Sequence, residues 1–269
     1  FDKDGYLFTN TYLGDYPMFL PGGKEQIAGE YQPGWMLLSY GKKVSVSSSL
    51  EGYPAENIVD EDARTAWVAQ SNRDMEWAQV DLQRLSSIHA IQVNFDEYGA
   101  NQKGAVSGVY QSYLIYASVN GEDWSLVVDY GTKKTDTPHD YIEFEEPFKA
   151  RYIKLQNKEY MVSENFSVRD LRIFGKGQGS TPRAVNDFTV ERDEADPCKA
   201  RLCWEAVPDA QGYIVRYGIA GDKLYNNFQV MGENTLEIGS LNKGVAYYFT
   251  IDAYNENGIT RTSRIKVCR

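Results

Sequence analysis

Short segments in which apolar and polar residues alternate recur between residues 35 and 175. Examples are residues 44–47, 91–95, 113–116 and 152–155. A period of two residues is typical of strands with one buried face, and no long segment has the 3.6-residue period of a helix. Strands about ten residues apart, separated by polar turns, predict an all-β sandwich or barrel of roughly 140 residues.

Two further patterns mark strand ends in this region. Asn120-Gly121 lies between the strand-like segments 117–119 and 124–127, and this dipeptide predicts a two-residue β-hairpin loop. The run 171–175 has the pattern of a closing strand. We therefore expect one β-sandwich domain over residues 35–175.

The composition changes after residue 175. Residues 176–182 read KGQGSTP, which predicts a flexible polar linker. Strand patterns resume in residues 183–269, with Trp204 in one strand and alternation over 213–217, so we expect a second, smaller β domain there. Residues 1–34 combine short aromatic strands with Gly and Pro turns and are too few for a domain of their own.

Charge and composition restrict the partners. The formal net charge is −10, which repels a phosphate backbone and anionic lipid, and no stripe of Lys and Arg offsets it. We expect no nucleic-acid partner. No apolar run approaches the ~18 residues that span a bilayer, so we expect no membrane insertion. The three cysteines, Cys198, Cys203 and Cys268, allow either one disulfide with a spare thiol or three free thiols.

The most informative stretch is residues 55–82, AENIVDEDARTAWVAQSNRDMEWAQVDL. An acidic loop (Asp60, Glu61, Asp62) precedes Thr65-Ala66-Trp67, and a second tryptophan, Trp77, opens an alternating strand. Closely spaced oxygen ligands suit a hard cation such as calcium. A turn held by local hydrogen bonds, or a solvated acidic loop, is the alternative. We assign Trp67 and Trp77 to the core, and Asp81 to a structural ion pair.

This pattern of an Asp loop, T-x-W and W-x-x-V-D-L resembles the discoidin, or coagulation factor 5/8 type C, family, which overlaps carbohydrate-binding module family 32. The segments LSYGKKVSVSS, YASVNGEDW, ARYIKL and VRDLRIFG resemble other strands of that family. The resemblance implies a jelly-roll β-sandwich. The chain departs from the family in having Glu61 and Gln83 where Gly is frequent, and Asp170 where Glu is usual.

The resemblance also implies a structural Ca²⁺ that ties the acidic loop to the last strand. Its ligands would be main-chain oxygens, carboxylates and a hydroxyl: the Asn57 carbonyl, the Asp60 carboxylate, an oxygen of Asp62, Thr65 through both side chain and main chain, the Arg169 carbonyl and the Asp170 carboxylate.

In the same family, carbohydrate sites lie on loops at one end of the sandwich. A sugar needs an aromatic face for its C–H side and polar side chains for its hydroxyls. The loops of this chain that combine the two supply the candidate sugar-binding residues Tyr53, Asn72, Arg73, Tyr98, Asn101, Tyr160 and Phe166.

Residues 183–269 carry the pattern Leu241-x-x-Gly244-x-x-Tyr247-x-Phe249-x-Ile251-x-Ala253. It resembles the fibronectin type III family, whose fold is an immunoglobulin-like β-sandwich, including a Tyr that hydrogen-bonds across a loop corner. Such domains usually act as spacers, and we expect that role here. The full fold-class prediction is all-β: a discoidin-like sandwich followed by an immunoglobulin-like one.

The run Asp2-Lys3-Asp4-Gly5 to Gly14-Asp15-Tyr16-Pro17 resembles the end of a β-propeller of glycoside hydrolase family 43; an ordinary N-terminal extension is the alternative. No nucleophile, phosphate-loop or zinc motif occurs, and the two histidines lack ligands at zinc spacing. The expected function is a non-catalytic, carbohydrate-binding accessory region of a xylosidase- or arabinofuranosidase-like enzyme. Its catalytic domain would lie upstream, in an extracellular, periplasmic or cell-surface location. An adhesion or protein-interaction module, a structural brace, and an enzyme in its own right are the alternatives.

Overall fold

The computed structural model describes residues 35–100 and 108–269, and the backbone of residues 17–19 and 25–27. These residues form strands and one short 3₁₀ helix, Ala55–Val59. The N-terminal strands β1 (Pro17–Phe19) and β2 (Glu25–Ile27) form an antiparallel pair. One compact unit covers Leu37–Gln178 and the other contains Gly179–Arg269.

The first unit contains strands β3 to β10, of which two are very long. Their bounds are Met36–Leu37 (β3), Lys43–Val46 (β4), Trp67–Val68 (β5), Trp77–Phe95 (β6), Gln111–Ser118 (β7), Ser125–Tyr130 (β8), His139–Tyr160 (β9) and Ser167–Lys176 (β10).

The long strands β6 and β9 belong to both layers of a sandwich. Their first shared ladder, which contains Trp77↔Gln156, gives a layer with the order β4-β6-β9-β7-β8. Their second ladder, from Ser86↔Ala150 onwards, gives a layer with the order β3-β10-β6-β9, with β5 paired to β10. The crossing between layers falls at Gln83, whose φ is +66°.

The core lies between the two layers because alternate residues of each strand point inward. In β6, Ala78, Val80 and Leu82 are buried, whereas Trp77 is only half-buried. Trp67 is fully buried in the core, as predicted. The assignment of Trp77 to the core is wrong, because its position in the alternation places it on the outer face of the layer.

The loop between β7 and β8 differs from the predicted two-residue hairpin. The last paired residues are Ala117 and Ser125, so the loop is longer. Its conformation is held by Asn120, whose side-chain oxygen accepts the main-chain N–H groups of Glu122 and Asp123 at 3.0 and 2.9 Å. Asn side chains stabilise such turns, and this bond takes the chain away from the tight hairpin.

The second unit is also a sandwich, built from a three-stranded and a larger sheet. The strands are Phe188–Arg192 (β11), Ala200–Trp204 (β12), Gly212–Gly218 (β13), Asn226–Met231 (β14), Thr235–Ile238 (β15), Tyr247–Asn255 (β16), Gly258–Thr260 (β17) and Lys266–Cys268 (β18). One sheet has the order β11-β12-β15, and the other β14-β13-β16, with β17 and β18 both paired to β16.

A separate core fills this second sandwich. Phe249 and Ile251 of β16 and Val215 of β13 are fully buried in it. The expected tyrosine contact is present, since the main-chain N–H of Asn242 donates to the Tyr247 hydroxyl at 3.2 Å. All three cysteines are unpaired. The predicted all-β fold of two sandwiches is therefore confirmed, while the fibronectin type III assignment stays a prediction.

Candidate carbohydrate and metal sites

Several loops converge at one end of the first sandwich. The main-chain N–H of Leu50 donates to the carbonyl of Val68 at 2.7 Å, and the Gln70 side chain donates to the Ser49 carbonyl at 3.3 Å. The side chain of Asn72 donates to the Ser163 carbonyl at 2.8 Å. Together with the described part of the segment 96–110, these loops form what we call the loop end: residues 47–54, 69–76, 96–100, 108–110 and 161–166.

Two candidate aromatic residues meet at the loop end. The rings of Tyr53 and Tyr98 lie edge to face, with centroids 4.8 Å apart. Both side chains are half-buried, so part of each ring is open to solvent. The sequence separates these residues by 45 positions, and the fold brings them into one pair.

The polar candidates Asn72 and Arg73 lie on a rigidly held loop. Asn157 of β9 is fully buried, and its side chain donates to the carbonyls of Asn72 and Arg73 at 2.8 and 2.9 Å. The amide of Asn72 also fixes the neighbouring loop, so its main role is structural. Arg73 is exposed and is available to a ligand.

The next turn of the same loop is anchored by Glu76. Its carboxylate accepts hydrogen bonds from the hydroxyls of Ser47, Ser48 and Ser71, the last two at 2.8 and 2.7 Å. These serines outweigh the effect of burial and hold the pKa of Glu76 below its ordinary value. A charged Glu76 therefore ties two loops of the loop end together.

Two predicted sugar contacts are wrong. Tyr160 and Phe166 are 1% and 0% exposed and pack edge to face in the core, with ring centroids 5.3 Å apart. The Tyr160 hydroxyl donates to the Asp96 carbonyl, and burial raises its pKa above the ordinary range. Both residues support the loop end from below and cannot contact a sugar. Asn101 lies outside the described residues.

The acidic loop is organised by its own hydrogen bonds. The Thr65 hydroxyl donates to the Asp60 carboxylate at 2.8 Å and to the Asp62 carbonyl at 2.9 Å. Asp60 also accepts the main-chain N–H of Asp62 at 2.8 Å. The side chain of Asn57 donates to the Ala66 carbonyl at 2.8 Å, which ties the 3₁₀ helix to the end of the acidic loop.

Asp62 does not turn toward this cluster. Its two carboxylate oxygens accept hydrogen bonds from the Arg64 guanidinium, both at 3.0 Å, and these bonds hold the pKa of Asp62 below its ordinary value. The carbonyl of Asp62 is bonded to Thr65. All its oxygens therefore have protein partners, as do both carboxylate oxygens of Asp60, and the role of Asp62 as a ligand stays a prediction.

The acidic loop lies along β10, as the metal prediction requires. Arg169 donates to the Ala63 carbonyl, and Arg172 donates to the Glu61 carboxylate at 2.9 Å. A β-bulge falls between Val168 and Asp170 in the ladder with β6. Since a bulge leaves its extra residue unpaired, it takes Arg169 out of that ladder.

Asp170 itself carries a buried carboxylate with one unused oxygen. The side chain is 5% exposed; one oxygen accepts a 2.8 Å hydrogen bond from Asn94, and the other has no hydrogen-bond partner. The Arg172 guanidinium lies 4.0 Å from this second oxygen. An unpaired buried carboxylate oxygen is costly, and a bound cation would satisfy it.

The donors present fit a calcium site of mixed composition. Among the described residues there is no group of three or more His, Cys, Asp or Glu side chains that could hold a metal. Calcium, however, also takes main-chain and hydroxyl oxygens. The predicted donors are the carboxylates of Asp60 and Asp170, an oxygen of Asp62, the oxygens of Thr65, and the carbonyls of Asn57 and Arg169.

A family model described as the F5/8 type C domain matches residues 43–170. Residues 43–170 form an F5/8 type C domain. The discoidin-like resemblance of this segment is therefore confirmed.

Curated relatives and solved structures each match part of the chain, 38% of it for the relatives and 52% for the two structures below. Lactadherin of Rattus norvegicus is 33% identical over 110 residues, and lactadherin of Mus musculus 32%. The chain spans 25% and 23% of their lengths. A chitosan-binding module from a chitosanase/glucanase of Paenibacillus sp. IK-5 is 20% identical, with a TM-score of 0.44, over 52% of this chain and 99% of the module. The family 32 CBM of C. perfringens NanJ, solved with galactose, is 17% identical, with a TM-score of 0.42, over 52% and 98%.

The loop end also carries two exposed apolar side chains that no sequence pattern predicts. Met75 and Met161 are 63% and 50% exposed. Met75 lies just before β6 and has a φ of +84°. Methionine is common in cores as well as on binding surfaces, so no pattern in the sequence distinguishes these two.

Proposed function

We propose that the F5/8 type C domain binds carbohydrate at its loop end. The observation that carries the proposal is the half-exposed pair of Tyr53 and Tyr98. Aromatic faces suit the C–H side of a sugar ring. The exposed guanidinium of Arg73, on the adjoining loop, offers donors for sugar hydroxyls. No reaction follows from this arrangement, and its chemistry is recognition.

The rigidity of the support favours this function. The Asn157 side chain and the Glu76–serine cluster fix the loop before β6, while Tyr160 and Phe166 pack beneath the loop end. A surface whose backbone is fixed before binding loses less conformational entropy when it meets a ligand. The tyrosine side chains add contact area with few rotatable bonds.

Calorimetric titration with a panel of neutral oligosaccharides tests the site. Replacing Tyr53 or Tyr98 by Ala should weaken binding about tenfold, the effect of truncating an aromatic residue worth more than ~1 kcal/mol. Tyr225→Ala, a tyrosine of the second unit, is the matched control and should bind as wild type does. Equal affinity for all four proteins would refute the loop-end site.

We also propose that a structural Ca²⁺ joins the acidic loop to β10, held by the donors named above. The ion would neutralise the unpaired oxygen of Asp170. At a free calcium concentration of 100 times the dissociation constant, binding would add about 2.7 kcal/mol of stability. Calcium should raise the melting temperature of the wild type above its value in EDTA.

The variant Asp170→Asn separates a metal site from a merely buried carboxylate. In EDTA the Asn variant should be as stable as the wild type or more so, because a charged group with an unused oxygen is gone. In calcium it should lose the stabilisation. Asp129→Asn, on β8, controls for the lost charge. If calcium shifts neither the wild type nor Asp170→Asn, the metal proposal fails.

The wider context is proposed from the N-terminal resemblance. We infer an accessory region of an extracellular or cell-surface glycoside hydrolase of family 43, with xylosidase- or arabinofuranosidase-like specificity and a fibronectin type III spacer at residues 183–269. The 269-residue chain should not hydrolyse aryl xylosides or arabinofuranosides, whereas a longer gene product carrying a catalytic domain should. Hydrolysis by the 269-residue chain would overturn its accessory role.

A second candidate function is adhesion to a lipid or protein surface. It is favoured by the exposed Met75 and Met161 at the loop end. In the described residues, no helix has the length and apolar composition to cross a membrane. Sedimentation with anionic vesicles tests this candidate: loss of vesicle binding in Met75→Ser and Met161→Ser would favour adhesion over carbohydrate recognition.

A further inference from the structure

The outer face of the layer β4-β6-β9-β7-β8 carries aromatic rings around one lysine. Inward residues of β6 and β9 are buried in the core, whereas those on the opposite side are half-buried. We call this outer set the sheet-face patch, and it consists of Trp77, Gln79, Tyr116, Trp124, Tyr152, Lys154 and Gln156. It lies on the strands of the layer and the β7–β8 loop, and it adjoins the loop end at Trp77 and at Gln156, whose side chain donates to the Met75 sulfur at 3.1 Å.

The strand register places the patch in the middle of a continuous row. Gln79 pairs with Ser45 on one side and Lys154 on the other, and Lys154 pairs with Tyr116, which pairs with Leu126. Side chains directly opposite one another on neighbouring strands lie close enough to be in contact. Five strands about 4.8 Å apart give the row a width of ~19 Å, enough for an oligosaccharide of several units.

Lys154 is held by rings and not by an acid. Its ammonium group lies 4.0 Å from the centroid of the Trp124 ring and 5.4 Å from that of Tyr116. No carboxylate among the described residues forms an ion pair with it. Burial lowers the pKa of Lys154, the expected effect of partial desolvation without a counter-charge.

The guanidinium beside the patch is already matched by a carboxylate. Arg151 binds the Asp81 carboxylate at 2.8 and 2.9 Å and also lies 4.9 Å from the Tyr152 ring. Tyr152 and Trp124 pack at 6.5 Å with an interplanar angle of 63°. The Lys154 ammonium is therefore the cation of the patch that lacks an anionic partner within the described chain.

We propose that the sheet-face patch binds a carboxylated oligosaccharide, with a uronic-acid carboxylate on Lys154 and sugar rings against Trp77 and the neighbouring aromatics. A carboxylate would supply the counter-charge that the half-buried ammonium lacks. The aromatic faces suit the C–H side of the sugar. The amides of Gln79 and Gln156 offer both donors and acceptors to hydroxyls.

The single lysine of the patch, on a chain with a net negative charge, favours an acidic saccharide over a densely charged polymer. A chain with net charge −10 disfavours a densely charged polymer such as a nucleic acid. A saccharide with a single carboxylate per unit, and with apolar C–H faces between, matches one cation surrounded by rings. The patch thus goes beyond the loop-end site and does not depend on it.

The test is calorimetric titration of the full chain with oligogalacturonate and with a neutral galacto-oligosaccharide of equal length. Lys154→Gln should weaken oligogalacturonate binding tenfold or more, since a contact to a charged group is lost. Lys149→Gln removes the same charge from an exposed position on β9 and should bind as wild type does. Binding should also change the tryptophan fluorescence of the wild type, and less so in Trp77→Leu.

The loop-end variants Tyr53→Ala and Tyr98→Ala should leave oligogalacturonate binding intact. The proposal is overturned if the wild type does not bind oligogalacturonate, if Lys154→Gln binds as tightly as Lys149→Gln, or if the loop-end variants abolish the binding. Loss of neutral-sugar binding in the loop-end variants would support the loop-end site and would leave the proposal for the sheet-face patch unchanged.

Discussion

Gln83 provides a direct test of the two-layer architecture. It lies where β6 passes from one layer to the other, and its φ of +66° is in the left-handed region. Its side chain is exposed, and its main-chain N–H donates to the Asp81 carboxylate at 2.7 Å. A Gly at this position would keep that bond and lose no packing.

The expected gain can be worked out from backbone energies. A left-handed conformation destabilises a residue with a Cβ by about 1–2 kcal/mol, and replacing that residue by Gly removes this cost. Gly in turn destabilises the fold by roughly 0.5–1 kcal/mol, because it loses more conformational freedom on folding. Gln83→Gly should therefore raise the free energy of unfolding by about 0.5–1 kcal/mol. Urea unfolding followed by tryptophan fluorescence measures the change.

Two matched variants make the result interpretable. Gln92→Gly, in the middle of β6 with ordinary strand geometry, should lower stability by about 0.5–1 kcal/mol. Glu61→Gly relieves a second left-handed residue, with φ +61°, but breaks the 2.9 Å ion pair with Arg172, so its net effect should lie near zero. If Gln83→Gly destabilises the protein as much as Gln92→Gly does, the reasoning is refuted.

Three further predictions concern single interactions. Arg151 holds the pKa of Asp81 below its ordinary value, so the stabilisation is complete above the unfolded pKa of ~3.9 and is lost as pH falls through the folded one. Asp81→Asn should thus flatten the acid end of the unfolding free-energy profile, and an unchanged profile would contradict this. Tyr247→Phe should cost about 1 kcal/mol in chemical unfolding, because the Asn242 N–H loses its partner; a cost near zero would show that water replaces the hydroxyl. Asn157→Ala should cost about 2–3 kcal/mol and speed amide hydrogen exchange at residues 72–76, because two carbonyl contacts are lost; unchanged exchange there would refute its positioning role.

The parts of the fold set by local pattern could be predicted from the sequence. Alternation in residues 78–82 identified which side of β6 faces the core, and Trp67 is buried as expected. The two non-Gly residues at family glycine positions, Glu61 and Gln83, both have positive φ. This agreement supports the alignment of the chain with the F5/8 type C pattern.

What depends on distant contacts could not be predicted. No local sequence pattern shows that β6 and β9 each pass through both layers, because the sequence does not reveal that Gln83 adopts a left-handed backbone conformation. Tyr160 and Phe166 sit in loop-like sequence beside polar residues, yet long-range packing against Trp67 and Phe95 buries them. Trp77 is the opposite case. Its size suggested a core position, but the alternation along β6 places its side chain on the outer face of the layer.

Binding at the loop end is the central claim, and amide chemical-shift mapping tests it most directly. The isotope-labelled chain is titrated with a neutral oligosaccharide chosen from the calorimetric panel. The account predicts saturable shifts centred on Tyr53, Tyr98 and Arg73, with the strands of the second unit unaffected. Saturable shifts confined to other surfaces, or no binding by any sugar of the panel, would contradict it.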